Sequence, residues 1–530
     1  MSRSFDESIP VWRENATSQT PAEPAGRTPA LPASTQVCVI GAGISGLTTA
    51  YLLQRAGLQV LVLDAYGVAA GETGRTTAHL TSALDDRYYH LENLFGADNA
   101  RLAADSHRAA IDRVETIVNE ESIDCDFERL DGYLVCTDAK LREKFEDESE
   151  AALRAGFDDL EVLESMREHG VLMEGPALRF SRQAAFHAGR YMDGLARAFR
   201  KHGGTLITKA RVVSVSGGGA AHVDLANGKT VAAGHIVVAT NTPFNDRVAM
   251  HTKQAAYRTF VVGFEVAKDS FPAMLLWDME DPYHYVRRVR GIERDVVIIG
   301  GEDHKTGEAN DAAARYDRLE AWARANFRDL GAVVYRWSGQ VMEPVDSLAF
   351  IGRNPLDDDN VYIITGDSGN GITHGTLAGM LISDLITGRP NPWEKLYDPT
   401  RKTLKAAPTF VAETADMVAR MVGDHVKGGD VHDRDDVALG EGAIIRDGMK
   451  HVAVYRDAHG NLQEMSAVCT HLGCVVQWNG GEKSWDCPCH GSRFALDGSV
   501  LNGPATAPLK ALEPEDMPPA EPIGDQLPRS

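Results

Sequence analysis

The sequence predicts an α/β domain with an interleaved α+β part, followed by a small all-β domain. Three observations predict this order. Near the N-terminus, a short β-branched run leads directly into a glycine turn and a helix, over residues 37–55. Helical and strand-like stretches then alternate as far as about residue 395. Beyond residue 436 the predicted strands are short and separated by turn residues, which is typical of a small β domain.

Length and charge limit the classes of protein to which the chain can belong. Its 530 residues exceed what one hydrophobic core organises, so we expect two to four domains. The 76 acidic and 54 basic residues give a net charge of −22, which argues against a nucleic-acid partner. Every apolar run is shorter than the roughly 20 residues that cross a bilayer, so we expect no membrane span.

The composition also suggests domain boundaries. Residues 1–34 lack the apolar core of a secretion signal and are rich in Pro, Thr, Ala and Ser, which predicts a flexible tail and a cytoplasmic protein. We assign residues 35–395 to the α/β domain and its interleaved substrate-binding part. Residues 396–436 are assigned to a connector, 437–520 to the β domain and 521–530 to a second tail.

The first glycine turn predicts a dinucleotide site. Gly41, Gly43 and Gly46 form the pattern GxGxxG between a strand and a helix, and a second strand ends at Asp64, eighteen residues after Gly46. Such glycines let a pyrophosphate approach the helix N-terminus, and an acid at this distance accepts hydrogen bonds from a ribose. The alternative is an ordinary glycine-rich turn.

Three later segments indicate which dinucleotide is bound. Residues 71–77 (GETGRTT) follow the second strand, and residues 235–241 form a buried strand that ends in small polar residues. Residues 361–375 (VYIITGDSGNGITHG) form a strand and a glycine turn, and a helix over about 376–386 follows. That helix presents a second N-terminus to a cofactor.

Together these motifs resemble the D-amino-acid oxidase and glycine oxidase superfamily of FAD-dependent oxidoreductases, with a Rossmann-like fold, over residues 35–395. The resemblance implies FAD as the cofactor. It places five residues at the ADP half: Gly41, Gly43, Ser45, Gly46 and Asp64. It places Arg75 and Thr76 near the pyrophosphate or flavin, the backbone of Val213 near the adenine, and Gly369, Gly371 and Thr373 near the flavin ring. For each of the later residues, the alternative is a turn or strand end without ligand contact.

The substrate side is less clearly marked. In the resembled architecture a sheet covers the flavin, and residues 281–288 and 300–305 concentrate aromatic and titratable groups near its strands. Such groups orient an amine or carboxylate through cation–π contacts and hydrogen bonds. We take Tyr285, Arg287 and His374 as candidate catalytic residues. A solvated loop with ion pairs is the competing interpretation.

Two short motifs near the C-terminus predict a metal centre. Cys469 and His471 form C-x-H, and Cys487 and His490 form C-x-x-H. Two thiolates and two imidazoles suit a 2Fe-2S cluster with Cys on one iron and His on the other. A tetrahedral zinc site uses the same donors. Zinc fingers usually keep like ligands together, whereas here each loop supplies one Cys and one His.

These motifs resemble a Rieske domain. The resemblance implies that Cys474 and Cys489 form a disulfide between the two cluster loops; two free thiols are the alternative. Ser492 matches a serine that donates a hydrogen bond to the cluster in respiratory relatives, and Phe494 stands where those relatives have a second donor, a tyrosine. We therefore expect a cluster potential below theirs, within the roughly −150 to +300 mV range of Rieske centres.

Three function classes follow. The favoured one is an FAD-dependent dehydrogenase or oxidase of an amine or amino acid, whose electrons leave through the cluster to an unknown external acceptor. A Rieske oxygenase would need two further His and a carboxylate for a mononuclear iron, and no two His outside the cluster pair lie four or five positions apart. The alternative is an electron-transfer or redox-sensing protein without an amine substrate.

Overall fold

The computed structural model describes residues 8–14, 29–167, 170–245, 250–355, 357–426 and 429–512. The helices are α1 Val11–Glu14, α2 Ile44–Arg55, α3 Tyr88–Phe95, α4 Ala97–Glu120, α5 Arg142–Arg154, α6 Ala188–Lys201, α7 Ala312–Asn326, α8 Gly371–Thr387, α9 Glu394–Tyr397 and α10 Ala407–Val426.

The strands of the α/β domain are β1 Ser34–Ile40, β2 Val60–Leu63, β3 His79–Leu80, β4 Glu128–Val135, β5 Glu161–Leu163, β6 Ala177–Ala185, β7 Thr205–Ile207, β8 Val212–Ser216, β9 His222–Leu225, β10 Thr230–Val238, β11 Gln254–Ala267, β12 Leu275–Asp278, β13 His284–Val289, β14 Arg294–Lys305, β15 Val333–Pro344, β16 Phe350–Arg353 and β17 Val361–Thr365. Those of the C-terminal domain are β18 Gly442–Asp447, β19 Lys450–Arg456, β20 Leu462–Ser466, β21 Gln477–Asn479, β22 Ser484–Asp486, β23 Arg493–Phe494 and β24 Val500–Asn502.

The first sheet has eight strands, with β16-β17-β10-β1-β2-β7 along its main path. Strands β17, β10, β1, β2 and β7 run parallel. Helices α2 and α8 pack against each other beside this sheet. Residues 37–40 and 60–63 are buried throughout, as expected for parallel strands with both faces covered. This sheet confirms the predicted α/β fold.

The second sheet has nine strands, with β15-β11-β14-β13-β12-β4-β6-β3 along its path. Its strands come from between the segments of the first sheet, so the two parts are interleaved along the chain. The long strands β11, β14 and β15 pair antiparallel. Strands β11, β12, β13 and β15 of this sheet carry residues that line one end of the cavity described below.

The C-terminal domain is built from strands, as predicted, in one three-stranded and one four-stranded antiparallel sheet. Its core contains Trp478, Trp485 and Phe494 together with the cysteines of the two predicted cluster loops. Residue 431 already forms a bridge with Ile445 of this domain. The last part of the predicted connector therefore packs with the β domain.

The N-terminal segment differs from the predicted flexible tail where the structure describes it. Val11 and Trp12 are each 2% exposed. The Trp12 indole packs against His187, and its Nε1 donates to the Thr76 carbonyl at 2.6 Å. One aromatic residue thus anchors a segment whose composition is otherwise that of a linker. The predicted tail at 521–530 lies outside the described residues.

Among the described residues, none of the helices combines the length and the apolar character that a membrane crossing requires.

Candidate active site and cluster site

A cavity of about 290 Å³ opens at the carboxyl ends of β1, β2, β10 and β17. This is where ligands bind in open α/β sheets. Of the predicted cofactor residues, the following line it: Gly41, Gly43, Ser45, Asp64, Arg75, Thr76, Gly369 and Gly371. Three predicted cofactor residues, Gly46, Val213 and Thr373, are not among the lining residues, although Val212, the neighbour of Val213, is.

The first glycine turn has the shape that a pyrophosphate needs. Gly41 has a φ of +109°, and a Cβ there would lie 2.3 Å from the Ala239 carbonyl oxygen. A Cβ on Gly46 would lie 2.0 Å from the Gly41 carbonyl oxygen. The bare backbone therefore brings β1, β10 and the N-terminus of α2 together around an open cradle, which fits the phosphates of a dinucleotide.

Asp64 organises the same turn. Its Oδ2 accepts a hydrogen bond from Ala42 N at 2.8 Å, and its Oδ1 accepts from Tyr66 N and Gly67 N at 2.7 and 2.8 Å. The carboxylate also lines the cavity. It is thus held at the cavity wall by backbone N–H groups, a position that fits the ribose contact that the sequence predicts.

The second glycine turn closes the opposite side of the cavity. A Cβ on Gly369 would lie 2.5 Å from Asp85 Oδ2, so this turn presses against a carboxylate. Thr373 donates to the Thr81 carbonyl at 3.1 Å and joins helix α8 to the segment that leads to Asp85. Its part here is to hold two cavity walls together.

The structure places two of the three candidate catalytic residues away from the cavity lining. His374 is buried beside His107 and Tyr397, and its Nδ1 lies 2.8 Å from the Asp367 carbonyl oxygen. Burial holds its pKa well below the usual range. Arg287 is buried too, and its Nη1 donates to the carbonyl oxygens of Thr77, Ala78 and Phe186. Its guanidinium joins two backbone segments, at 77–78 and at 186.

Tyr285 does line the cavity, at an end with several aromatic rings. The Tyr283 and Tyr285 ring centroids lie 5.8 Å apart, and the His79 ring lies 5.6 Å from that of Tyr285 and 6.2 Å from that of Trp277. All four side chains line the cavity. The Tyr285 hydroxyl hydrogen-bonds Thr259 Oγ1 at 2.7 Å. Aromatic faces of this kind attract cations.

Carboxyl groups accompany these rings. Asp85 lines the cavity, as Tyr283 does. Burial raises the pKa of Asp85, and burial with the neighbouring Asp85 charge raises the pKa of Asp86 to about 7. The pKa of Glu343 is raised well above its usual range by burial and by Asp86. Ser368 also lines the cavity, and its Oγ lies 3.1 Å from Asp86 Oδ2 and 2.8 Å from Glu343 Oε2.

Both arginines that line the cavity are engaged by other groups. Arg75 Nη1 donates to the Ser338 carbonyl at 2.7 Å and to Glu482 Oε1 at 3.0 Å. Arg211 Nη2 donates to the Tyr66 hydroxyl at 2.5 Å and to the Val500 carbonyl at 3.3 Å. At the aromatic end Asp85 is a lining carboxyl group, and Arg87 Nη1 lies 3.9 Å from its Oδ1.

The two cluster loops share one backbone design. Cys469 N donates to the Cys474 carbonyl at 2.8 Å, and Gly473 N donates back to the Cys469 carbonyl at 3.0 Å. In the second loop, Cys487 N donates to the Ser492 carbonyl and Gly491 N to the Cys487 carbonyl at the same two distances. Each loop thus closes on its first cysteine through a glycine with positive φ.

The loops bring the predicted ligands together. Cys469 and Cys487 are buried, and the His471 and His490 ring centroids lie 5.0 Å apart. A disulfide joins Cys474 to Cys489, as the resemblance implies. Two thiols on one side and two imidazoles on the other form the donor set of a 2Fe-2S cluster.

The cluster loops adjoin the cavity. Residues 501–503 and 505–506 of the β domain line it. Ala505 N donates to Ser492 Oγ at 3.1 Å. From the other domain, Gln340 lines the cavity and its Nε2 donates to the Gly491 carbonyl at 2.9 Å. His251 packs against both ligand imidazoles, with ring centroids 4.7 and 5.1 Å away.

Sequence reasoning missed several of these residues. Asp85 lies shortly after a two-residue strand, which gives no local signal of function. It reaches the cavity because the tertiary fold places it beside Gly369. Gln340 and Glu482 are common surface residue types that are buried here between domains. The sequence signal that could have indicated Asp85 is the acidic pair at 85–86 directly after a buried segment.

Comparisons with known proteins agree with this architecture. The family model described as FAD dependent oxidoreductase matches residues 36–385, and that of the Rieske [2Fe-2S] domain matches residues 429–513. Over 489 residues the chain is 30% identical to "Putative Rieske 2Fe-2S iron-sulfur protein YhfW" of Bacillus subtilis (strain 168), covering 92% of this chain and 95% of that protein.

Other relatives match one part of the chain. Gamma-glutamylputrescine oxidoreductase of Escherichia coli (strain K12) is 26% identical over 365 residues, covering 66% of this chain and 83% of that protein. The crystal structure of glycine oxidase from Geobacillus kaustophilus superposes with a TM-score of 0.60 at 17% identity, covering 70% of this chain and all of that one.

Proposed function

We propose that this chain, which belongs to the FAD dependent oxidoreductase family and carries a Rieske [2Fe-2S] domain, oxidises the C–N bond of a cationic amine. The electrons then pass through the cluster to a one-electron acceptor outside the chain. Family membership gives FAD and a 2Fe-2S cluster as cofactors and makes the protein an oxidoreductase.

Oxidation of an amine to an imine releases two electrons and two protons; FAD accepts an electron pair, whereas a 2Fe-2S cluster carries single electrons. Gly41, Gly43 and Asp64 would hold the dinucleotide, and the residues at the aromatic end would hold the amine. Cys469, His471, Cys487 and His490 would hold the cluster. Each turnover then delivers two electrons, one at a time, to the external acceptor.

The observation that carries the proposal is the contact between the two sites. Ala505 and Gln340 belong to the cavity wall. Ala505 N donates to Ser492 Oγ at 3.1 Å and Gln340 Nε2 donates to the Gly491 carbonyl at 2.9 Å, so both hydrogen-bond the second cluster loop. If the flavin transferred its electrons only to oxygen, the cluster-bearing domain would not need to form part of the wall of the cofactor cavity. This continuity favours electron relay over two independent functions in one chain.

The choice of a cationic amine over an amino acid rests on the aromatic end. Asp85 and the rings of Trp277, Tyr283 and Tyr285 attract an ammonium group through charge and cation–π contact. The negative carboxylate of an amino acid would meet Asp85 and the carboxyl groups behind it. Substrate recognition here therefore favours an amine whose charge is not balanced by an adjacent carboxylate.

Anaerobic mixing with mono-, di- and polyamines and with amino acids tests this proposal. We expect amines to bleach the flavin, and Asp85→Asn to weaken their binding roughly 10- to 100-fold, as for other hydrogen-bonded charges. Asp281→Asn, an exposed carboxylate in the loop that precedes Tyr283, is the matched control. Flavin reduction by amino acids alone would exclude the amine class. Failure of every substrate would favour a redox-sensing protein.

A further inference from the structure

The two domains share a buried ion cluster centred on Glu482 of the β domain. Its carboxylate is 5% exposed and is contacted by three guanidinium groups, those of Arg75, Arg258 and Arg493. Glu482 Oε1 also accepts from Ser338 Oγ at 2.6 Å, and Ser8 Oγ donates to it at 2.8 Å. Arg75, Arg258 and Ser338 belong to the oxidoreductase domain, so this carboxylate crosses the domain junction.

Arg258 depends on that carboxylate. Its side chain is 1% exposed, and its Nη2 lies 2.6 Å from Glu482 Oε2 and contacts Ser338 Oγ. Among the described residues, its Nε and Nη1 have no hydrogen-bond partner. Burying a guanidinium is costly unless a partner compensates its charge. The oxidoreductase domain thus presents a buried cation that the β domain must neutralise.

The ion cluster is connected to both redox sites. Arg258 precedes Thr259, which lines the cofactor cavity, and Arg75 lines it as well. On the other side, Arg493 lies three residues after His490 and is held by Glu482 and by Asp486, at 3.0 Å. Glu482 therefore joins residues at the cavity wall to the second cluster loop.

We propose that Glu482 is a positioning residue that fixes the cluster loops against the cofactor cavity, so that electrons reach the cluster in a docked, immobile β domain. The contacts support fixed docking because each of the three guanidinium groups would lose a buried counter-charge if the domains parted. This proposal rests on the proposed relay function. It also predicts a mechanical property of the junction that does not depend on turnover.

Glu482→Gln in the full chain tests it, because the amide keeps the shape and removes the charge. Hydrogen exchange should become faster in residues 338–340 and 480–493. After light-driven reduction of the flavin, which needs no substrate, cluster reduction should be several-fold slower, because a loosened junction holds the two cofactors less closely. The midpoint potential of the cluster should stay unchanged.

Glu464→Gln is the matched control. Glu464 Oε1 forms an ion pair with Arg434 Nε at a distance of 2.8 Å, and neither residue lines the cavity. This variant should leave both readouts at wild-type values. Ser338→Ala removes one hydrogen bond to Glu482 and should show the same changes to a smaller extent, which keeps the test valid if Glu482→Gln does not fold. Unchanged exchange and unchanged cluster reduction in both variants would overturn the proposal. If light-driven electron transfer from flavin to cluster is normal but no amine reduces the flavin, only the substrate assignment is rejected.

Discussion

The two redox sites of this chain are assembled in opposite ways. All four predicted cluster ligands come from one short stretch, 469–490, whose two loops repeat the same pair of hydrogen bonds. The cofactor cavity is lined by residues from Ile40 to Thr506, drawn from both domains. A site made from contiguous loops depends on local geometry. A site made from distant segments depends on how sheets and domains pack.

This contrast predicts that the two sites can be lost separately. Cys487→Ser removes a thiolate from the cluster set, so we expect iron and sulfide content to fall to near zero while FAD content and flavin reduction persist. Metal analysis with visible spectra measures both. Cys125→Ser, at a buried free cysteine, should retain the cluster. Zinc in the wild-type protein in place of iron would contradict the assignment.

The reverse loss should follow from Gly41→Ala. The residue needs a positive φ, and its Cβ would lie 2.3 Å from the Ala239 carbonyl oxygen. Strained backbone alone costs roughly 1–3 kcal/mol, and the overlap adds to it. We expect purified protein with a cluster but little FAD. Gly67→Ala, where a Cβ meets nothing within 4 Å, should bind FAD normally; loss of both cofactors in Gly41→Ala would argue against separable sites.

Features formed by residues close together in the sequence account for most of what the sequence predicted correctly. The ligand spacing, the glycine turn and Asp64 are short-range patterns, and each has a direct geometric meaning in the structure. The fold class and both cofactors are confirmed. The disulfide is present between Cys474 and Cys489, as expected from the resemblance.

What could not be predicted depends on contacts between distant segments. Arg287 looked suited to bind a substrate, yet it serves three backbone carbonyls, and His374 faces the protein interior. Trp12 is anchored by His187 and Thr76, which no local pattern indicates. Glu482 acquires its role only when the domains dock. Each case depends on which distant chain segment packs against the residue.

The disulfide between Cys474 and Cys489 joins the two cluster loops directly, so the stability of the cluster site should depend on it. Closing a loop of about 15 residues stabilises a domain by roughly 3 kcal/mol in the chain-entropy account. Cys474→Ser should lower the free energy of unfolding of the β domain by about that amount and speed cluster loss on heating. Cys136→Ser should leave cluster loss unchanged. Unaltered cluster stability in Cys474→Ser would mean that the packed core alone holds the loops.

The cavity should respond to pH through its buried carboxyl groups. Burial and the charge of Asp85 raise the pKa of Asp86 to about 7, so at pH 6 it is mostly protonated and at pH 8 mostly ionised. The titratable and charged groups that act on it are Asp85, Glu343 and Arg87. A quaternary ammonium ligand, which does not titrate, should bind a few-fold to about tenfold more tightly at pH 8.

Flavin spectral titration measures this affinity. In Asp86→Asn the pH dependence should shrink, whereas in Asp281→Asn it should persist. Tighter binding at pH 6 than at pH 8 in the wild-type protein would contradict a role for these carboxyl groups in attracting cations.

The smallest expected effect concerns the cluster potential. Phe494 is fully buried in the β domain, where respiratory relatives have a tyrosine donor. Phe494→Tyr should raise the midpoint potential, on the order of tens of millivolts, because hydrogen bonds toward the cluster favour its reduced form. A redox titration compares it with Phe494→Leu, which adds no donor. Equal potentials would show that the hydroxyl does not reach the cluster.

The relay from flavin to cluster is the central claim, and rapid anaerobic mixing with an active amine tests it most directly. Flavin absorbance and the cluster signal are followed in the same sample. The account predicts that the flavin bleaches first, and that the cluster then becomes reduced at a rate independent of protein concentration, as an intramolecular transfer requires. A reduced flavin beside a cluster that stays oxidised would contradict it.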